Sequence, residues 1–297
     1  MLSILLIGST GQVGWELART LMPLGRVMVP ERSQCDLSSL DTLTALVNAL
    51  QPDVIVNAAA YTAVDKAEEE TNLAMTVNAR APGALAAAAR RHGALLVHYS
   101  TDYVFDGRKA GAYSEADAPN PDSVYGRSKL AGEEAVRAAG ADHLIFRTSW
   151  VFAARGKNFL RTILRLAGER EELRIVADQF GAPTSARLIA EVTALVLQQD
   201  LARRKNGGFE SGTFNLTAAG ETSWHGFAGA IVTAARARGA ELKCRTLVPI
   251  TTAEYPLPAA RPANSRLSGA RLAERYGLNM PEWECCMHLC LAELFPG

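Results

Sequence analysis

The chain has 297 residues, 48% of them hydrophobic and 21% charged, the balance of a folded soluble protein. Lysine plus arginine and aspartate plus glutamate each number 31, so the formal charge is zero. That argues against a general nucleic-acid binder, which would show a basic surplus, and it gives no support to a polybasic membrane anchor. A chain this long buries a core without disulfides or metal, and it has no run of about 18 apolar residues to span a bilayer.

Cys35, Cys244, Cys285, Cys286 and Cys290 are odd in number and lack ribbon-like spacing, so they read as reduced thiols in a cytoplasm. Residues 1–8 resemble a signal-peptide core only briefly. No basic segment precedes them, the apolar run is short, and a glycine turn follows at once.

Strand-like apolar runs at 3–7, 26–29, 54–56, 94–98 and 143–146 alternate with helical stretches at 13–22, 38–50, 68–91 and 125–139. The runs lack polar alternation, which marks strands buried on both faces of a parallel sheet. Ser38 and Asp41 suit the start of the second helix, and Glu68 to Glu70 suit the first turn of the third. Repeated strand–helix units predict an α/β fold with a doubly wound, Rossmann-like parallel sheet. Past residue 150 the pattern loosens. Helical stretches at 157–168, 186–199, 223–238, 268–276 and 281–294 are joined by loops bearing proline and glycine. Residues 203–208 read as an exposed turn, and 255–262 are too proline-rich for a helix or central strand. The change of pattern predicts a dinucleotide-binding domain over 1–150, with segments from roughly 175–215 returning to it, and a smaller α/β, mainly substrate-binding domain over 151–297.

Gly8, Gly11 and Gly14 lie between the first strand and the first helix. Gly8 permits a tight turn, Gly11 lets a pyrophosphate approach the backbone, and Gly14 lets helix pack on strand. The helix N-terminus adds free N–H groups and partial positive charge. Glu31 follows at roughly the 20-residue spacing of an acid that binds an adenosine ribose. Arg32 beside it suits a 2′-phosphate, so NADH and NADPH stay open. Asn57-Ala58-Ala59-Ala60 ends the third strand with small side chains, as a groove for a cofactor or close helix packing would require.

Tyr125 and Lys129 stand at i and i+4, on one helix face. A neighbouring ammonium favours phenolate, so Lys129 is expected to lower the Tyr125 pKa from about 10 toward the working pH. Thr101 closes the fourth strand, where open α/β sheets place ligand residues, and its hydroxyl suits the same reacting oxygen.

Taken with residues 57–60 and 100–107, the glycine turn and the Tyr125/Lys129 pair resemble the extended, nucleotide-sugar-modifying branch of the short-chain dehydrogenase/reductase superfamily. Residues 11–17, 61–68, 147–152, 178–184 and 261–267 look like the dTDP-4-dehydrorhamnose reductase family. The resemblance implies delivery of hydride from NADPH or NADH to C4 of a dTDP-linked 4-keto-6-deoxy sugar. It implies that Tyr125 donates the proton, that Lys129 holds the nicotinamide ribose and that Thr101 steadies the carbonyl oxygen. It further implies Gly11, Gln12 and Val13 at the pyrophosphate, and Asp36, Leu37, Ala60, Tyr61, Thr62 and Tyr99 along the cofactor groove. Asp102 and Trp150 would touch the sugar nucleotide. Where this family more often carries Asp, this chain has Glu31. Some members form Mg²⁺-linked homodimers, for which Glu16, Glu191 and Glu293 are the matching acids, and oxygen ligands suit that ion.

Other readings stay open on residues alone. Arg261 and Arg266 suit either a diphosphate or a solvated loop, and Trp150 either a thymine or the core. His288 among Cys285, Cys286 and Cys290 lacks the four-ligand spacing of zinc. An epimerase or dehydratase of the same branch is the enzymatic alternative, although Asp102-Tyr103 after Thr101 is not a dehydratase's Asp-Glu pair. A non-catalytic regulatory subunit is the other alternative, and such proteins often lose the tyrosine or lysine retained here.

Overall fold

The computed structural model describes residues 1–296. Strands β1 (Ser3–Ile7), β2 (Arg26–Met28), β3 (Val54–Asn57), β4 (Leu95–Thr101) and β5 (His143–Thr148) fill the first half. Four short strands follow: β6 (Val151–Phe152), β7 (Glu172–Val176), β8 (Phe180–Gly181) and β9 (Thr184–Ser185). Then come β10 (Gly212–Asn215), β11 (Thr222–Ser223) and β12 (Thr246–Ile250). The main sheet runs β10-β5-β4-β3-β1-β2, every pair parallel. Its winding reverses between β1 and β3, so a crevice opens at their carboxyl ends.

Ile4 and Leu6 of β1 face one apolar cluster while Leu5 and Ile7 face another. Burial on both faces explains why these strands carry no polar alternation. Helices α1 (Gln12–Thr20) and α2 (Leu40–Leu50) pack on opposite faces of the sheet.

The helix expected over 68–91 is broken. It comprises α3 (Val64–Glu69), α4 (Thr71–Met75), a π-helical turn at Thr76–Arg80 and α5 (Ala81–His92). Pro82, at the start of α5, has no N–H to continue the ladder and its ring crowds the preceding turn, which accounts for the wide turn before it. Glu68 to Glu70 therefore end α3 instead of opening a helix, and the Glu68 carboxylate accepts the Val124 N–H at 2.8 Å. α6 (Val124–Ala139) follows, packed on α5. The start of α2 also differs from the sequence reading. Ser39 occupies its N-cap without a side-chain cap, while the Ser38 N–H donates to Asp36 Oδ1 at 2.9 Å.

The remaining helices are α7 (Phe159–Glu169), α8 (Ala186–Lys205), α9 (Trp224–Ala237), α10 (Ala270–Tyr276) and α11 (Trp283–Leu294). α8 packs along α1, and β10 then adds the sixth strand beside β5. The 203–208 segment is only partly a turn. Arg203 and Arg204 complete α8, held by Asp200 at 2.7 Å and Asp142 at 2.8 Å. Strands β7 and β12 pair in parallel under α7 and α9. Residues 255–262 carry neither helix nor strand.

Candidate active site

The glycine turn is held by close approach. A Cβ on Gly14 would lie 2.1 Å from the Gly8 carbonyl oxygen, and Gly8, at φ +88°, sits against the Ala59 backbone. Gly11 is the N-cap of α1 and brings no side chain to the first turn, so the N–H groups of Gln12 and Val13 lie at an open helix end. A Cβ on Gly11 would meet only the Gly8 carbonyl, at 3.3 Å. The turn thus has the uncapped donors and bare outer face that a diphosphate needs. Gln12 Oε1 accepts from Asn158 Nδ2 at 2.8 Å, tying the turn to the start of α7.

Across the crevice, residues 57–62 follow β3. Asn57 Oδ1 accepts the Ala59 N–H at 3.2 Å. The buried Asn78, in the π-helical turn, accepts the Tyr61 N–H at 2.8 Å and donates to the Tyr61 carbonyl at 3.0 Å and to Ser128 Oγ at 3.0 Å. Asn78 was not apparent from sequence; its only signal there was its place ahead of a mid-helix proline. Ala60 and Tyr61 are half-buried and Thr62 is exposed. Glu31 and Arg32 stand exposed in the turn after β2. Asp36 is held below the usual carboxylate range by hydrogen bonds from Ser38. Two expected groove residues turn their side chains away. Leu37 packs into the core, and Tyr99 is buried with its hydroxyl 2.8 Å from Thr193 Oγ1 on α8.

The reactive groups meet at the end of β4. Ser123 caps α6 by accepting the Gly126 N–H at 3.1 Å, and Glu68 takes the Val124 N–H, so Tyr125 stands in a doubly fixed first turn. The Tyr125 ring packs edge-on against Tyr103, with centroids 5.4 Å apart. Burial pushes its phenol up to about 12, over the opposing effect of the Thr101 hydroxyl beside it; the Asp102 carboxylate adds to the rise. Lys129 does not lower it, contrary to the sequence reading. The lysine is buried and its Nζ donates to the Tyr99 carbonyl at 2.6 Å. Burial pulls that ammonium down to about 8 against the attraction of Glu133.

Thr101 Oγ1 donates to Asp102 Oδ1 at 2.9 Å. Asp102 is buried, its Oδ2 has no partner, and burial lifts its carboxyl to about 6 against hydrogen bonds that favour the anion. One turn past Lys129, the fully buried Glu133 accepts from Arg147 Nε at 2.8 Å and from its terminal nitrogen at 2.7 Å. Burial opposes the Glu133 charge, but Arg147 outweighs it and holds the carboxyl below the usual range.

Trp150 follows β5 at φ 48°, in the left-handed region. Its ring stacks on Trp224 with centroids 3.5 Å apart and planes 10° from parallel. Trp224 Nε1 donates to Gln179 Oε1 at 3.2 Å. Arg261 and Arg266 are engaged internally, Arg261 with Asp65 at 2.7 Å and Arg266 with Glu221 at 2.7 Å.

The three acids expected at a metal lie beside arginines within the chain. Glu16 and Glu293 face Arg187, and Glu191 lies 3.8 Å from Arg19. No cluster of three His, Cys, Asp or Glu placed to hold a metal ion occurs among the described residues, those around His288 included.

The family model described as the RmlD substrate binding domain matches residues 2–295. A dTDP-4-dehydrorhamnose reductase of Burkholderia thailandensis is 56% identical over 295 residues, 99% of each chain. Its counterpart in Escherichia coli K12 is 46% identical over 298 residues, 99% of this chain and 98% of that one. The structure of a Bacillus anthracis dTDP-4-dehydrorhamnose reductase in complex with NADP superposes with a TM-score of 0.88 at 34% identity, covering 99% of this chain and 100% of that one. A Thermus thermophilus UDP-glucose 4-epimerase in complex with NAD, 19% identical with a TM-score of 0.78 and 99% of each chain covered, shares the fold.

Proposed function

Because the chain belongs to the RmlD substrate-binding-domain family, with dTDP-4-dehydrorhamnose reductases among its relatives, we propose the following reading of its site. The protein is an NAD(P)H-dependent oxidoreductase that reduces the C4 keto group of dTDP-4-dehydro-L-rhamnose to give dTDP-L-rhamnose.

NADPH or NADH, when bound, supplies the hydride. Gly8, Gly11, Gln12, Val13 and Gly14 receive the diphosphate at the uncapped end of α1. Glu31, Asp36, Leu37, Ala60, Tyr61, Thr62 and Tyr99 border the rest of the groove, Leu37 and Tyr99 through their backbones. Lys129 presents an ammonium at the ribose. Tyr125 holds its proton at neutral pH and releases it to the forming alkoxide, while the Thr101 hydroxyl turns from Asp102 to the carbonyl oxygen. Asp102, buried beside Thr101 and with no hydrogen-bond partner on Oδ2, borders the place of the sugar, and Trp150 offers a ring to the nucleotide. The observation that carries this reading is the convergence of Thr101, Tyr125 and Lys129 at the carboxyl edge of β4.

The cofactor part comprises residues 1–150 with returning segments from 175–215. Its support is β10 in the main sheet and α8 along α1. Residues 151–297 mainly hold the substrate. A reducing cytoplasm suits the five free thiols, and the proposed assembly, a homodimer, rests on the resemblance alone. No helix among the described residues is long and apolar enough to cross a membrane.

The test is coupled turnover. With dTDP-4-keto-6-deoxyglucose and a 3,5-epimerase, the protein oxidises NAD(P)H and yields the rhamnosyl nucleotide. Tyr125→Phe folds and binds cofactor but loses roughly 10²–10⁴-fold in turnover. Near-normal turnover in that variant removes Tyr125 from the chemistry.

A further inference from the structure

Glu16 on α1, Glu191 on α8 and Glu293 on α11 line one cavity with Arg187, Leu289 and Cys290. The resemblance to metal-linked dimers implies a divalent cation among these acids. Magnesium demands several oxygen ligands at about 2.0–2.1 Å in near-octahedral array. The side chains are arranged otherwise. Arg187, in the first turn of α8, places a terminal nitrogen 2.6 Å from Glu293 and its Nε 3.8 Å from Glu16. Arg19 reaches both Glu16, at 3.6 Å, and Glu191, at 3.8 Å. Two guanidiniums already carry the two positive charges that a divalent ion would bring. A metal entering between Glu16 and Glu293 would have to displace Arg187, whose Nε is buried without a hydrogen-bond partner. Glu16 itself is buried, and a carboxylate in that setting needs a cation nearby.

We propose that Arg187 is the resident cation of this cluster. Its side chain joins α1, α8 and α11, and the face they form needs no divalent metal, whether in one chain or between two copies. Arginine suits the role because its planar fork can address two carboxylates at once. The ion pair is covalently tethered, so neither dilution nor chelation removes it.

The test uses the full chain, dialysed against EDTA and then titrated with MgCl₂. Thermal unfolding, sedimentation and binding calorimetry are read in parallel. The expected result is no binding heat, the same Tm and the same sedimentation coefficient with and without Mg²⁺. Arg187→Glu exchanges the cation for a further acid, and its Tm should rise with Mg²⁺ concentration, as mass action requires of a ligand that binds only the folded state. A wild-type Tm or sedimentation coefficient that responds to Mg²⁺, with the response abolished by Glu293→Gln, overturns the proposal. The wild-type measurement decides the matter even if Arg187→Glu fails to fold.

Discussion

A phenol that must deliver a proton has to keep it until the carbonyl arrives, and Tyr125, pushed up to about 12, does so across the physiological range. Its neighbours set the limits of activity. Lys129 loses its charge above about 8 and Asp102 gains a proton below about 6. The profile of kcat/KM for reduction, which reports the free enzyme, is therefore expected to plateau between these values and fall on either side. Lys129→Met should leave a low rate without the alkaline limb, and Asp102→Asn should remove the acid limb. Stability moves the other way at high pH. The folded lysine value lies below the ordinary 10.5, so the native state bears a penalty below about pH 8 that is relieved as pH climbs toward the unfolded value. Trp150 supplies a second test at this scale. Its backbone at φ 48° is strained and its ring rests on Trp224. Trp224→Ala should raise KM for the sugar nucleotide about tenfold, close to the worth of one aromatic pair, and leave kcat nearly unchanged. The measurement is steady-state kinetics with cofactor saturating.

Among the elements, α6 bears the most consequence. Its i, i+4 spacing continues from Tyr125 through Lys129 to Glu133, so one helical face holds the acid, the ammonium and that ammonium's counter-charge. Glu133→Ala strands Arg147 in the interior and should cost roughly 3–5 kcal/mol, visible in thermal or urea unfolding. The same change removes the attraction that supports the Lys129 charge, so the alkaline limb should also move to lower pH. Tyr125 and Lys129 were legible in the sequence because the helix period sets their relation within five residues. Glu68 was not legible as a cap of α6, since it lies 56 residues away and looked like a first-turn acid of its own helix. The effect of Lys129 on Tyr125 was misjudged for a related reason. Spacing placed the two groups on one face, but burial and the Tyr99 carbonyl, both tertiary facts, decide what each one feels.

For the molecule as a whole, the parallel sheet was readable because strands buried on both faces spell continuous apolar runs, and the glycine turn marked its switch point. The return of β10 was harder to see. Four residues, Gly-Thr-Phe-Asn, carry little pattern, and their partner β5 ends more than sixty residues earlier. Between the two lies most of the material that covers α1 and supplies Trp150. This placement governs how a nascent chain matures. When residue 150 leaves the ribosome, β5 is already present, but one of its edges stays bare until Gly212–Asn215 emerges. For that interval its unpaired N–H and C=O groups form an open template for another chain. Synthesis past residue 215 covers that six-residue edge with the four-residue β10, a shorter margin, so a polypeptide cut at the apparent domain boundary is left with the longer and more adhesive one.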